Sequence, residues 1–307
     1  METAVKNKLN TEYKPKKRLK TGSKQNYKRF TRSRVGSFFY FAFIVLAGLF
    51  SMLPLIYAVA TSFKPLDELM IFPPTFFVRR PTVENYTALP GLLSNLKVPL
   101  SRYIFNSVFI CIVTTLIYVF LSAMAAFVLA KTDMKGRKAV FLIVQFSLLF
   151  NAYTLAVPQY LIISSAKIID TYWAYILPQM SATLGVFLMK QYMEGYIPDS
   201  LLEASQIDGA GFFRTFIQIA LPISKPAILT VFLFSFRDIW ASVPQGTIFN
   251  EKLKTLPMIM SQITAGGIAR NGSAMAVSVI MMIPPIIVYL ISQSNVVESM
   301  SSAGIKG

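Results

Sequence analysis

The sequence predicts an all-α polytopic membrane protein: six transmembrane helices and one large cytoplasmic loop. Three observations predict it. Of the 307 residues, 54% are hydrophobic and only 14% charged, where a soluble domain carries about 25% charge. The apolar residues fall in blocks long enough to cross a bilayer, which takes about 20 residues of helix. Lys and Arg collect in alternate flanks of those blocks, the asymmetry that sets orientation.

Residues 1–34 hold twelve of the thirty Lys and Arg, with Ser, Thr and Asn and almost no large aliphatic residues. This composition predicts a disordered basic tail. Its charge fits a topology signal and attraction to anionic lipid, so a net charge of +16 does not point to nucleic acid. A secretory signal is the rival reading. The apolar run from Gly36 to Phe63 is too long for one and lacks a small-x-small cleavage site, so a signal anchor is expected.

Residues 35–307 then form the membrane domain. Its six spans are roughly 36–62, 104–130, 139–163, 171–193, 227–248 and 274–294. Lys131, Lys135, Arg137 and Lys138 crowd the loop after the second span, whereas the link after the third holds only Lys167. With the amino terminus inside, residues 131–138, 194–226 and the carboxyl tail are cytoplasmic. Residues 64–103, with six prolines, and 249–273, rich in Gly, Thr and Ser, face outward. They read as caps or docking loops; Arg79-Arg80 is the one basic pair on the wrong side.

The 194–226 loop is wrong for a membrane. Ser200 and Glu203 have the spacing of a capping box, and Asp199 adds negative charge where a helix start favours it. Gly209 and Gly211 break that helix. A second helix is expected from Phe212 to Ala220, ended by Leu221-Pro222, with Pro226 opening the fifth span. Phe212, Phe213, Phe216, Ile217, Ile219 and Leu221 give the loop apolar faces that fit a protein contact. An interfacial amphipathic helix would carry more Lys and Arg than Arg214 alone.

Two spans carry polar groups. Arg237-Asp238 lies near the middle of the fifth. Each such charge costs about 2.5–3.5 kcal/mol at a helix centre, and each Leu, Ile, Phe or Val returns about 0.3–0.6, so this span cannot face lipid on every side. Its polar face lines a pathway or makes an ion pair with another span. The third span holds Asn151, Tyr153, Pro158, Gln159 and Tyr160, carboxamides and phenols suited to sugar hydroxyls and a sugar ring. The same side chains also join helices to one another. Asn151, Tyr153, Gln159, Arg237, Asp238 and Trp240 are the candidate substrate-pathway residues.

Catalysis finds little support. The chain has no His and one Cys, no paired acids and no nucleophile motif, so no enzyme activity, metal site or cofactor of its own is expected. It has no G-x-x-x-x-G-K-[ST] phosphate loop.

The pattern Glu203-Ala204-x-x-x-Asp208-Gly209-Ala210, then Ile219-x-Leu221-Pro222 and Pro226, resembles the EAA loop of ABC-type import permeases, most closely the maltose-permease-like carbohydrate branch. Thr171 to Pro178, Phe187 to Tyr192, Asn106-Ser107 and the terminal Gly304-Ile-Lys306-Gly307 are similar to that branch too. Ser205, where many relatives have Ala, and Arg237 depart from it. The resemblance implies a type I importer permease in a bacterial plasma or inner membrane, both termini cytoplasmic. It implies that Glu203, Ala204, Asp208, Gly209, Ala210, Leu221 and Pro222 dock on a cytoplasmic ATP-binding subunit dimer, which holds ATP and Mg. A second, unlike permease and an extracellular or periplasmic solute-binding protein complete the machine. The contrasting expectation is a channel or secondary transporter working without ATP.

Overall fold

The computed structural model describes residues 34–94, 98–244 and 246–303. The basic tail before residue 34 and the terminal Gly304 to Gly307 motif lie outside the described residues. All regular structure among the described residues is helical.

The chain divides into two units, residues 1–53 and 54–307. Helix α1, Arg34–Ser62, runs through the boundary. In the first unit its Phe38, Phe41, Phe43, Leu46 and Phe50 are exposed, as lipid-facing side chains of a span are.

In the second unit short helices α2 (Leu66–Leu69), α3 (Glu84–Thr87) and α4 (Leu89–Ser94) precede the long α5, Leu100–Lys131. Pro99 sits extended immediately before α5, where a missing N–H costs nothing. Along α5, Tyr103, Ser107, Ile110, Cys111, Thr114, Ser122, Ala126, Phe127 and Ala130 are buried. Their three- and four-residue spacing is the stripe of a helix packed on one side, and α5 is the central strut.

The third and fourth expected spans are each two helices. Residues 139–163 become α6 (Arg137–Ser147) and α7 (Ala152–Ser165). Asn151 starts α7 by accepting Tyr153 N–H at 2.9 Å, so a carboxamide expected in the pathway serves as a helix cap. Residues 171–193 become α8 (Trp173–Gln179) and α9 (Thr183–Tyr196). Pro178 lies in the last turn of the first of these and has no N–H to give its ladder, and Ser181 Oγ donates to the Pro178 carbonyl at 2.9 Å.

The fifth span is shorter than expected. Its helix, α13 (Lys225–Trp240), ends at Trp240, and beyond it Gly246 takes φ +67°. There Asp170 accepts N–H from Phe249 and Asn250 at 2.5 and 2.7 Å. The expected outer loop 249–273 is also partly core: α14 (Leu256–Thr264) buries Leu256, Pro257, Ile259 and Ile263. The last helix, α15, runs Asn271–Ala303.

Helices α1, α5 and α15 are long and apolar enough to cross a membrane singly. The hydrogen bonds show where the remaining segments turn. At one end Asn106 Nδ2 donates to the carbonyls of Lys252 and Lys254, both 2.9 Å, and Tyr172 OH donates to Asn106 Oδ1 at 2.9 Å. Asn85 Nδ2 meets Ser62 O at 2.9 Å. At the other end Lys131 Nζ pairs with Asp199 at 2.7 Å. The loops assigned by charge to opposite sides therefore gather at opposite ends of α5.

Candidate functional site

The 194–226 loop folds as an elbow. Helix α10, Asp199–Ile207, starts behind an extended Pro198 without a side-chain cap. The Ser200–Glu203 capping box does not form. Because Pro198 occupies the cap position, Ser200 is already inside the first turn, out of reach of the free N–H groups. Asp199 instead reaches Lys131, whose side chain is 5% exposed at the last residue of α5, where the helix dipole favours a cation.

The glycine break is specific. Ala210 N–H reaches Ser205 O at 2.9 Å and Gly209 N–H reaches Gln206 O at 3.0 Å, the paired bonds of a Schellman cap. That cap needs a left-handed residue, and Gly209 has φ +77°. Gly211 is extended, φ −69°, and has no such requirement. Ser205 is buried and lies 3.1 Å, hydroxyl to hydroxyl, from Thr215. An Ala there would lose this link between the two arms.

The second arm is α11 (Phe212–Thr215), a π turn Phe216–Ala220 and α12 (Leu221–Ile223). Leu221-Pro222 does not end it. Pro222 has no N–H and its ring would strike the carbonyl four residues back. The turn before it widens so that Leu221 N–H bonds Phe216 O, a π bulge. The chain turns at Ser224 instead, and α13, Lys225–Trp240, leaves bent by 80°.

Aromatic rings hang the elbow from α5. Phe216, 2% exposed, lies 5.4 Å from the ring of Phe127, and Phe212 lies 5.0 Å from it. Phe216 is thus core, and Ile219 and Leu221 are half-buried. On the outer side Glu203, Ala204, Ile207, Asp208, Gly209, Phe213, Ile217 and Pro222 remain exposed, with Ala210 half-buried. Ile207 is 86% exposed.

Farther along, α7, α8 and the chain after α13 enclose an open-sided cavity of about 470 Å³, within the range of small-molecule sites. Tyr153, Gln159 and Tyr160 line it from α7, Tyr175 and Gln179 from α8, and Ser242 and Thr247 from beyond α13. Gln179 Nε2 donates to Ser242 Oγ at 3.0 Å. The lining has no Asp, Glu, Lys or Arg among the described residues.

The other pathway candidates divide. Asn151 is the α7 cap. Trp240 is 6% exposed and donates its indole N–H to Met281 O at 2.9 Å, a tie between α13 and α15, and it is absent from the cavity lining. Arg237 and Asp238 are exposed outside the cavity lining and pair with each other at 3.9 Å. They make no ion pair with another span among the described residues. Tyr175 and Gln179 were missed as cavity residues, although a Tyr three residues before a Pro-Gln in a membrane segment is a readable signal.

A family model, binding-protein-dependent transport system inner membrane component, matches residues 119–302, which hold the whole elbow. The polygalacturonan/rhamnogalacturonan transport system permease protein YtcP of Bacillus subtilis (strain 168) is 28% identical over 90% of this chain and 100% of its own. Protein LplC of the same organism is 32% identical over 85% and 91%. A crystal structure of a bacterial ABC transporter involved in the import of the acidic polysaccharide alginate has a chain that matches with a TM-score of 0.65 at 22% identity, covering 86% of this chain and 98% of that one; it shares the fold. On these matches the chain belongs to the binding-protein-dependent transport system inner membrane component family, the membrane-embedded permeases of ABC importers.

Proposed function

We propose that this chain is one of two unlike permease subunits of an ATP-driven importer for a carbohydrate, an oligosaccharide in particular. The observation that carries the proposal is the elbow 199–224. It is a Schellman-capped pair of short helices with an exposed face, anchored by a buried lysine and two phenylalanines to the central strut. A groove on a cytoplasmic ATPase dimer that grips Glu203, Ala204, Asp208, Gly209, Ala210 and Pro222, with Leu221 supporting from behind, would move the inner end of α5 when the dimer closes around ATP and Mg. Packing on α5 carries that motion to α9 and α13 and so to the cavity walls, alternating access between the two sides.

The carbohydrate reading rests on the cavity. Phenol faces suit a sugar ring, and Gln159, Gln179, Ser242 and Thr247 offer neutral donors and acceptors for hydroxyls. The similarity to YtcP favours the same class. Arg237 and Asp238, charged in a span and turned away from the chain's own core, fit a water-lined path shared with the second permease. Lys and Arg counts put the elbow and both termini in the cytoplasm, leaving the outer loops to a solute-binding protein.

Affinity purification from native membrane tests this. A soluble ATPase and a second permease should accompany the chain, and sealed vesicles should take up sugar only with ATP inside. A chain that purifies alone and transports without ATP is a channel or secondary transporter, and the proposal fails.

A further inference from the structure

The loop between α1 and α3 is built inside out. Two of its charged groups, Lys64 and Glu68, form its core, while Asp67, Arg79 and Arg80 stay exposed. Lys64 is 2% exposed and Glu68 is 4% exposed. The Glu68 carboxylate accepts N–H from Arg79 at 3.1 Å and from Arg80 at 2.8 Å, and Lys64 Nζ donates to Thr75 O. Thr82 N–H bonds Phe63 O at 2.8 Å, closing the neck. Four large apolar side chains point outward from this pinned frame: Met70 at 56%, Ile71 at 43%, Phe72 at 90% and Phe77 at 74% exposed. A loop that faces water on all sides has the opposite distribution.

The loop also folds back along the membrane helix. The Phe76 ring lies 5.6 Å from Tyr57 and 5.2 Å from Phe77, and Lys64 Nζ is 5.5 Å from the Tyr57 ring. Tyr57 is five residues before the end of α1 at Ser62, about 7–8 Å at 1.5 Å per residue. That is the depth at which interfacial segments bury their apolar side, about 5–10 Å into the headgroup and acyl boundary. Leu55, Ile56 and Val59, on the same stretch of α1, are exposed apolar neighbours. Arg80 is engaged by Asp67 and Glu68. The exposed Arg79 guanidinium has no side-chain partner among the described residues and is free for a lipid phosphate.

We infer that residues 70–79 are a preformed membrane-interface anchor. Met70, Ile71, Phe72 and Phe77 seat at the headgroup and acyl boundary, and Arg79 meets lipid phosphate, fixing the end of α1 against the bilayer surface. The buried Lys64–Glu68 frame holds the apolar side chains out before any lipid is present, so seating them costs little ordering entropy.

The test is depth-resolved quenching. Phe72→Trp and, as a second reporter, Phe77→Trp are made in the full chain, purified with its accompanying subunits and placed in nanodiscs of brominated phosphatidylcholine. The unaltered chain corrects for Trp173 and Trp240. Emission should be quenched severalfold more by bromine near the glycerol end of the acyl chain than by bromine near its terminus. An unquenched, red-shifted F72W emission places the loop in water, and an unquenched, blue-shifted one places it against a protein neighbour. Stronger quenching by terminal bromine places it in the bilayer core. Any of these three results overturns the inference.

Discussion

Gly209 shows how a single backbone angle sets the elbow. A Cβ added there meets nothing within 4 Å, so Gly209→Ala incurs only left-handed strain, about 1–2 kcal/mol. Asn tolerates that region better than Ala. The thermal midpoint of the detergent-solubilised chain should therefore fall in the order Gly, Asn, Ala, Val at position 209, the whole series shifting by a few degrees. Equal midpoints for Gly and Val would mean the turn is not held. Lys131 and Asp199 make a weaker contribution. Asp199 is 79% exposed, so solvent screens the pair, and Asp199→Ala should cost about 0.5–1 kcal/mol, less still in high salt. Asn151→Ala should cost about 1 kcal/mol through its lost cap and leave sugar binding nearly unchanged, because this residue is not in the cavity wall.

At the scale of elements, α5 bears against α9 through small residues. Gly185 N–H meets Tyr118 OH at 3.1 Å, and a Cβ on Gly185 would strike Ser122 Oγ and the Tyr118 ring. Gly185→Leu should separate the two helices and destabilise the chain by about 1–3 kcal/mol, seen as a lower thermal midpoint. Phe127→Ala removes the ring shared by Phe212 and Phe216. It should cost about 3–5 kcal/mol and loosen the elbow, measured as faster proteolysis within residues 199–224.

Much of this scaffold was legible in the sequence. The apolar blocks marked where helices run, and Lys and Arg counts sorted the loops into the two ends that the hydrogen bonds of Asn106 and Lys131 define. Gly209 was legible as a break because its conformational freedom is local chemistry. The interruptions at 148–151 and 180–182 were not, since mean apolarity does not register where one helix ends and a polar cap such as Asn151 begins the next. The Ser200 cap failed for a local reason: Pro198 takes the cap position two residues earlier and puts Ser200 inside the first turn. The burial of Trp240 and Phe216 was hidden for tertiary reasons: a polar tip or an aromatic face reads the same in sequence whether it meets a ligand, a partner subunit or the next helix. The cavity is drawn from segments as far apart as Ile110 and Thr247, and beyond the Tyr and Gln content of its walls, the Tyr175 and Pro178-Gln179 pattern included, nothing in the sequence brings them together.

For the whole molecule, the elbow and the cavity sit at different levels of one bundle, with α5 packed along both. The cavity's neutral lining and the exposed Arg237–Asp238 pair answer different demands. On the proposed function, one would hold hydroxyls and the other would keep a path through the membrane wet. Gln179→Ala removes a cavity donor and also frees Ser242, so it should raise the sugar concentration needed for half-maximal uptake, whereas Arg237→Ala should lower the maximal rate. Uptake kinetics in proteoliposomes separate the two effects.

In the proposed function the elbow is the point where ATP energy enters the membrane chain. ATP hydrolysis by the reconstituted complex, with and without sugar-loaded binding protein, measures that directly in a Gly209→Asp variant. The aspartate would meet the left-handed turn and the exposed docking face together. The expected result is a chain that still inserts into the membrane but whose complex shows no stimulated hydrolysis. Stimulation equal to that of the unaltered complex would contradict it.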